Sequence, residues 1–337
     1  MNAGEAGMAD LKAPMIDALQ FSNWNRARLE DLHRAGLTAV HATICYHGLA
    51  RETLSSLAAW NRRFREHADI IRPVRRPEDL DAARAEERVG VILGAQNCSP
   101  IEDEIGLVEV MRDAGLAVMQ VTYNGQSLLG AGCYEDTDSG ISRFGREVLR
   151  EMNRVGMVID LSHSGERTML DAIELSKRPV AITHANPCFV HDIPRNKSNA
   201  VLTALAESGG MLGFSLYPMH LPGGARTSIE SFSEMVARTA DLMGVERIGI
   251  GSDLCLGWGG ETIDWMRNGR WRLVPYEERE ALAADAWPAQ PEWFSAPSDM
   301  KTLAEALTAR GFGAAEVAAI MGGNWHRFFV EGLRPLP

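Results

Sequence analysis

Three side chains that can bind a metal ion or move a proton lie at the ends of apolar runs in the sequence. His163 ends "MVIDLSH", His184 lies near the end of "VAITHAN", and Asp253 lies near the end of "IGIGSDL". Imidazole and carboxylate groups are the usual ligands of zinc and similar divalent ions, and they also act as general acids and bases. A single histidine at such a position can equally satisfy a hydrogen bond within the core. Three such groups on one face favour a catalytic or metal-binding site.

The elements that carry these residues alternate regularly between β-rich and helical patterns. Eight apolar, β-branched runs predict strands. They cover residues 15–19, 38–45, 90–97, 118–124, 157–163, 180–186, 211–217 and 248–254. Amphipathic stretches that predict helices include residues 24–36, 104–115, 145–156 and 165–178. The alternation predicts an α/β fold, a (β/α)8 TIM barrel, whose active site is built at the carboxyl ends of the strands.

The alternative of a doubly wound sheet lacks its main signal. That fold requires a glycine-rich phosphate turn after the first strand, and "DALQFSN" contains none. We therefore expect residues 1–337 to form one barrel domain. Residues 257–298, rich in Trp, Pro and Arg, interrupt the repeat and predict a lid-like insertion after the last strand. Two closing helices are predicted over residues 299–311 and 314–333.

Polar and aromatic residues near other strand ends predict contacts with a small molecule. Arg195, in the loop "HANPCFVHDIPRNKSN" after the sixth strand, could clamp a substrate carboxylate through two parallel hydrogen bonds or could tie down its own loop. The other candidates are amides, aromatic residues and one further cation, a set suited to neutral hydrogen bonding and stacking. They are Gln96, Asn97, Tyr123, Asn124, Asn25, Arg26 and Tyr134.

Several stretches resemble the membrane (renal) dipeptidase family of the amidohydrolase-like, metallo-dependent hydrolase barrels. They are "SRFGREVLREMNRVGMVIDLSHSGERTMLDAIELSKRPVAITHANPCFVHDIPRN", "IGIGSD" and "IMGGNW", which occur in the family's order. In that family a Glu bridges two zinc ions, and a His-x-Asp after strand one and two later histidines complete the sites. The resemblance implies metal-ligand roles for His163 and His184. It implies catalytic proton transfer for Asp253 and substrate-carboxylate binding for Arg195.

Four positions depart from the family pattern. The His-x-Asp falls on Leu19 and Phe21, the bridging Glu falls on Gln96, and a His that polarises the substrate carbonyl falls on Tyr123. Leucine and phenylalanine offer no lone pair and an amide oxygen is neutral, so Asp253 would be the only anion facing two dications. The sequence therefore disfavours a two-metal centre.

Two metal states remain open after these losses. One is a single zinc-like ion held by His163, His184 and Asp253, or by the Gln96 oxygen in place of Asp253, with a water molecule completing the site. The other is a site without any metal. The expected catalytic residues in either state are Asp253, His163, His184 and Tyr123.

The composition of the chain limits the kinds of binding partner that we expect. The chain has 337 residues and a formal net charge of −11, which disfavours nucleic acid and membrane surfaces as partners. No signal peptide or long apolar run is visible, and five widely spaced cysteines indicate neither disulfides nor a thiolate metal site, so we expect a cytoplasmic protein. A small carboxylate-bearing substrate is the expected ligand. The closing helix, with Trp325, Phe328 and Phe329, could support a homodimer as readily as the core.

Three functions remain open from the sequence. The first is a dipeptidase-like hydrolase that cleaves an amide, peptide-like or other C–N bond of a small carboxylate-bearing substrate, with one metal ion or none. The second is a metal-free barrel enzyme in the breakdown of modified, for example methylated, amino acids. The third is a non-catalytic pseudoenzyme that binds a metabolite. The retained Asp253 favours the two enzymes.

Overall fold

The computed structural model describes residues 13–259, 262, 263, 265, 266, 269 and 287–336. Parallel strands form a single sheet in the order β1-β2-β4-β5-β6-β7-β8-β9, while the short β3 pairs only with β4. The strands are β1 Ile16–Gln20, β2 Ala39–Cys45, β3 Ile71–Pro73, β4 Val89–Ala95, β5 Leu116–Gln120, β6 Val158–Asp160, β7 Ala181–Ala185, β8 Met211–Phe214 and β9 Ile248–Ile250. The eight predicted strands are all present.

The sheet closes on itself just beyond the last strand. Gln20 forms a parallel bridge with Leu254. The Asp253 N–H donates to the Leu19 carbonyl at 3.0 Å, and the Phe21 N–H donates to the Leu254 carbonyl at 2.9 Å. The result is a nearly closed barrel of eight parallel strands, which confirms the predicted (β/α)8 architecture.

Helices cover the outside of the barrel. They are α1 Arg26–Ala35, α2 Ala50–Glu66, α3 Glu78–Ala85, α4 Gly106–Ala114, α5 Arg143–Val155, α6 Glu166–Leu175, α7 Asn199–Glu207, α8 Ile229–Met243, α9 Met300–Arg310, α10 Ala314–Ala318 and α11 Asn324–Gly332. Side chains at their starts accept backbone N–H bonds, as Ser142 does for α5 and Ser198 for α7. Gly156 ends α5 in the left-handed conformation that glycine adopts most readily.

The strands are apolar along most of their length because helices cover the outer face of the sheet and side chains fill its interior. Trp325, Phe328 and Phe329 on α11 are buried; the Trp325 ring stacks on Phe329 and meets Phe328 edge-on. A Cβ on Gly249 of β9 would lie 2.4 Å from the Trp325 indole nitrogen, so the ring is pressed against the sheet. These aromatic residues belong to the core, which was one of the two expected uses of this helix, and a homodimer stays a prediction.

The predicted lid falls largely outside the described residues, and Trp271 is among those not described. Four of its tryptophans are described, and two of these, Trp258 and Trp265, lie at the barrel mouth. The Trp258 ring stacks on Phe21 at a centroid distance of 4.7 Å, and Trp265 meets the His47 ring edge-on at 5.6 Å. The lid remains a prediction.

Two further expectations bear on the chain's chemistry. All five cysteines are free thiols, as predicted. Within the part of the chain that the structure describes, no helix combines the length and apolar character needed to cross a bilayer. The cytoplasmic location stays a prediction.

Candidate active site

A cavity of about 450 Å³ opens at the carboxyl ends of the strands. Its walls come from the segments that follow β4, β5, β6, β7, β8 and β9, together with one lid residue. The lining residues are Gln96, Tyr123, Asn124, Gly125, Tyr134, Glu135, His163, Arg195, Tyr217, Met219, His220, Asp253 and Met266. His163 and six other predicted site residues therefore line one cavity, as the barrel topology requires.

His163, which lines the cavity, and His184 form a hydrogen-bonded pair. Their Nε2 atoms are 3.1 Å apart, and His163 Nε2 is also 3.1 Å from the Gln96 side-chain oxygen. The His163 Nδ1 lies 2.7 Å from the Asn124 side-chain oxygen, and the His184 Nδ1 lies 2.8 Å from the Thr183 hydroxyl. All four ring nitrogens are thus engaged by protein groups. Burial, followed by the nearby positive charge of Arg195, holds both imidazole pKa values well below the usual range.

A buried carboxylate beneath the pair fixes its orientation. Asp160 accepts hydrogen bonds from the hydroxyls of Ser162 and Thr183, each at 2.6 Å, and from the Gln120 amide at 2.9 Å. Thr183 in turn contacts the ring of His184. The final residues of β6 and β7 therefore form a rigid polar layer on which the histidines rest.

The donor groups do not fit a two-ion centre. Leu19 is fully buried, and Phe21 is packed between the rings of Tyr46 and Trp258. The Gln96 amide nitrogen donates to the hydroxyl of Thr43 at 2.8 Å, which directs only a neutral oxygen toward His163. Side chains that pack against each other occupy positions where ligands would be required, and two dications would lack compensating charge.

Asp253 lines the same cavity as His163. Among the described residues, no three His, Cys, Asp or Glu side chains are grouped closely enough to hold a metal ion. The expectation that Asp253 joins His163 and His184 as a third ligand is therefore not met by this geometry. Its backbone has φ 56°, a left-handed conformation that costs a non-glycine residue free energy and is concentrated at functional sites.

Burial also changes the acidity of Asp253. The carboxyl group is 8% exposed, and burial raises its pKa to about 7, although the positive charge of Arg195 opposes the shift and Asp17 adds to it. A carboxyl group with such a pKa can both accept and return a proton near neutral pH. This property is what a general acid and base requires.

Arg195 lines the cavity from a buried position. Its two terminal nitrogens donate to the carbonyls of Ser162 and, at 2.8 Å, His184, while its Nε has no partner among the described residues. The guanidinium thus ties the strand ends together with two of its five N–H groups, and the binding of a substrate carboxylate stays a prediction. Lys197, fully buried nearby with an unpartnered Nζ, has its pKa lowered to about 7 by burial.

Tyr123, Asn124 and Tyr134 belong to one folded loop after β5. The Tyr123 ring stacks on His163 at a centroid distance of 4.2 Å, and burial raises its pKa, so the phenol keeps its proton. A Cβ on Gly132 would lie 2.3 Å from the backbone of Asn124, so only glycine permits the two arms of this loop to pack against each other. The Tyr134 N–H donates to the Asn124 carbonyl at 3.1 Å, which brings the half-exposed Tyr134 ring to the cavity.

Three predicted substrate-binding residues lie elsewhere. Asn25 caps α1 by accepting a hydrogen bond from the Arg28 N–H at 3.0 Å. Arg26 is exposed and pairs with Glu30 and Asp69. Asn97 lines a neighbouring cavity of about 440 Å³. Asn25 and Arg26 lie outside the cavity lining because α1 begins soon after the first strand, and the polar residues at a helix start resemble those of a mouth loop.

His220 was not predicted as a site residue from the sequence. It lies in a 3₁₀ turn over Pro218–His220 after β8. Its side chain is buried, lines the cavity and places Nδ1 2.8 Å from the Ser215 hydroxyl. The only signal in the sequence was a histidine three residues beyond a predicted strand end. Its neighbours Met219 and Tyr217 line the same wall.

Known proteins are similar to this chain in sequence and in fold. Residues 2–264 match the family described as membrane dipeptidase (Peptidase family M19). A solved structure described as an amidohydrolase from Pseudomonas aeruginosa is 34% identical, with a TM-score of 0.88 and coverage of 95% of this chain and 96% of that chain. An uncharacterised dipeptidase of Schizosaccharomyces pombe is 27% identical over 212 residues, which cover 61% of this chain and 51% of that protein.

A second curated relative gives the same assignment. Dipeptidase verJ of Clonostachys rogersoniana is 26% identical over 210 residues, which cover 60% of this chain and 53% of that protein. The chain thus spans about half the length of the curated relatives it matches. The family match covers well over half of the chain and includes the segments that carry His163, His184, Arg195 and Asp253. The chain therefore belongs to the membrane dipeptidase family, a family of dipeptidase-like hydrolases with a (β/α)8 barrel fold.

Proposed function

We propose that this protein hydrolyses an amide or peptide-like C–N bond in a small substrate that carries a carboxylate. The observation that carries the proposal is the placement of Asp253 and Arg195 on the same cavity. One is a buried carboxyl group whose pKa is raised to about 7, and the other is a buried guanidinium with N–H groups to spare. Proton transfer and carboxylate recognition are the two functions that such a hydrolase needs.

The chemistry follows from these side chains. The unused N–H groups of Arg195 bind the substrate carboxylate and orient the scissile bond. Asp253 accepts a proton from water as the water oxygen bonds to the carbonyl carbon. The same proton passes from Asp253 to the leaving nitrogen when the C–N bond breaks, so the carboxylate is regenerated. The Tyr123 phenol, which replaces a histidine of the family pattern, lies at the same cavity and keeps its proton for donation to a substrate oxygen.

Hydrolysis of dipeptides and N-acyl amino acids by Asp253→Asn tests this assignment. Loss of the general acid and base predicts a fall in kcat of at least about 100-fold with a much smaller change in KM. Asp136→Asn is a matched control because Asp136 is an exposed aspartate outside the cavity lining. Wild-type turnover by Asp253→Asn would refute the proposed role.

A second candidate is a non-catalytic metabolite-binding protein. It is favoured by the engagement of all four ring nitrogens of His163 and His184 with protein groups, which leaves neither imidazole in position to react. Such a binder needs Arg195 but not proton transfer. It predicts no hydrolysis by the wild-type protein and nearly equal affinity for N-acetylglycine in wild type and Asp253→Asn.

A further inference from the structure

His220 has the one histidine ring nitrogen of this site that is available to a substrate. Both nitrogens of His163 and both of His184 are hydrogen bonded to protein groups. His220 uses Nδ1 for Ser215, whereas its Nε2 bonds to no described residue and is not enclosed by protein. Because His220 lines the cavity, its Nε2 faces the space that a substrate would fill.

The hydrogen-bond partners of the Ser215 hydroxyl indicate which nitrogen of His220 carries the proton. The Ser215 hydroxyl oxygen already accepts a hydrogen bond from the Tyr217 N–H at 3.2 Å. Its own proton has one acceptor among the described residues, the Nδ1 of His220 at 2.8 Å. Burial and the charge of Arg195 hold the pKa of His220 well below its usual range, so the ring is neutral and carries one proton. With the Ser215 hydroxyl as the donor to Nδ1, that proton lies on Nε2, which is then a donor toward the cavity.

Two buried asparagines hold His220 in place. The Asn186 amide nitrogen donates to the carbonyls of Ser215 at 2.9 Å and His220 at 3.3 Å, and its oxygen accepts from the Ser215 N–H at 3.0 Å. The Asn196 amide nitrogen donates to the same His220 carbonyl at 3.1 Å. The Asn196 oxygen accepts from the Asn186 N–H. Residues on either side of Arg195 in the chain thus fix the turn that presents His220, which is the preorganisation that transition-state stabilisation requires.

We propose that His220 is a catalytic residue that donates a hydrogen bond from Nε2 to the carbonyl oxygen of the scissile amide. This inference rests on the hydrolytic function proposed above and adds an electrophile to it. Negative charge develops on that oxygen when water adds to the carbonyl carbon, and a fixed neutral donor stabilises it without a metal ion. Ser215 and Asn186 act as positioning residues, because they set the tautomer and the orientation of the ring.

Kinetics with a matched set of variants test the catalytic role. His220→Phe keeps a ring but removes the donor, and we expect kcat to fall about 100-fold on any dipeptide or N-acyl amino acid that the wild type cleaves. His220→Gln retains an N–H donor and should recover part of that loss. His33→Phe is the control, because His33 is exposed on α1, away from the cavity. Thermal unfolding of each variant establishes that it is folded.

NMR of protein with isotope-labelled histidine tests the tautomer independently of activity. We expect the Nε2-protonated form of His220 in the wild type and a mixture of tautomers in Ser215→Ala. An Nδ1-protonated ring would overturn the inference. So would a wild-type kcat in His220→Phe while Asp253→Asn is inactive, an outcome that leaves the hydrolytic function intact. Failure of the wild type to cleave any of these substrates would instead remove the proposed function, and the catalytic role of His220 with it.

Discussion

Replacing Asp253 by Asn should make the protein more stable at alkaline pH. The folded state holds this carboxyl group at a pKa of about 7, against an ordinary value of 3.8 for an unperturbed aspartate. Between those values the folded protein binds more protons than the unfolded chain, so the contribution of Asp253 to stability is present below the unfolded pKa and is lost as the pH rises through about 7. Asparagine has the same shape and never ionises, so it avoids this loss.

The size of the effect follows from the shift. Each unit of pKa difference corresponds to about 1.4 kcal/mol, so the full shift is worth about 4 kcal/mol and the part lost between about pH 5 and pH 8 is roughly 3 kcal/mol. Urea unfolding followed by tryptophan fluorescence at several pH values measures this quantity. Because Asp17 and Lys197 titrate in the same range, the informative quantity is the difference between wild type and Asp253→Asn, with Asp136→Asn as the control. Parallel pH profiles for wild type and Asp253→Asn would refute the raised pKa.

Three further outcomes are expected. Elemental analysis of protein purified without chelators should find fewer than two metal ions per chain, and Gln96→Glu should increase zinc retention because it places a carboxylate beside His163; two tightly bound ions in the wild type would contradict the geometry of the site. Arg195→Lys should lower kcat/KM for carboxylate-bearing substrates about 10- to 100-fold in a kinetic assay, because a lysine keeps the charge but lacks the planar fork; equal kcat/KM would place the substrate carboxylate elsewhere. Gly132→Ala should lower the melting temperature and displace the loop that carries Tyr134, whereas Gly313→Ala, with no close neighbour, should change little; equal melting temperatures would show that the loop tolerates a Cβ.

The sequence predicted the barrel because each strand is an apolar run long enough to separate from the helices around it. β3 was not predicted, since its three residues include Arg72 and Pro73 and form no apolar run. Several strands end earlier than expected, as β6 does at Asp160 rather than at His163. Beyond that point the chain leaves the sheet, and Ser162 and His163 form hydrogen bonds with Asp160 and Asn124 respectively. The pattern of apolar residues does not predict where the strand ends.

The site was predictable wherever a functional side chain lies close to the end of a strand. His163, Asp253 and Tyr123 meet this condition, and the structure brings them to one cavity with Arg195, which lies farther beyond β7 and was proposed from its charge and from the family resemblance. His220 does not, because a short 3₁₀ turn returns it to the mouth from beyond the strand end. Bonds from Asn186 and Asn196 help to define the path of that turn, and such tertiary contacts cannot be read from a single sequence.

The seam that closes the barrel explains how its chemistry could change while its shape did not. Leu19 and Asp253 are joined there through main-chain atoms, and Phe21 is joined to Leu254 in the same way. Any amino acid other than proline supplies the N–H and C=O groups that these bonds use. Evolution could therefore exchange side chains on the first strand's end for apolar ones without opening the cylinder. Family members whose reactive side chains diverge most are expected to retain these main-chain hydrogen bonds.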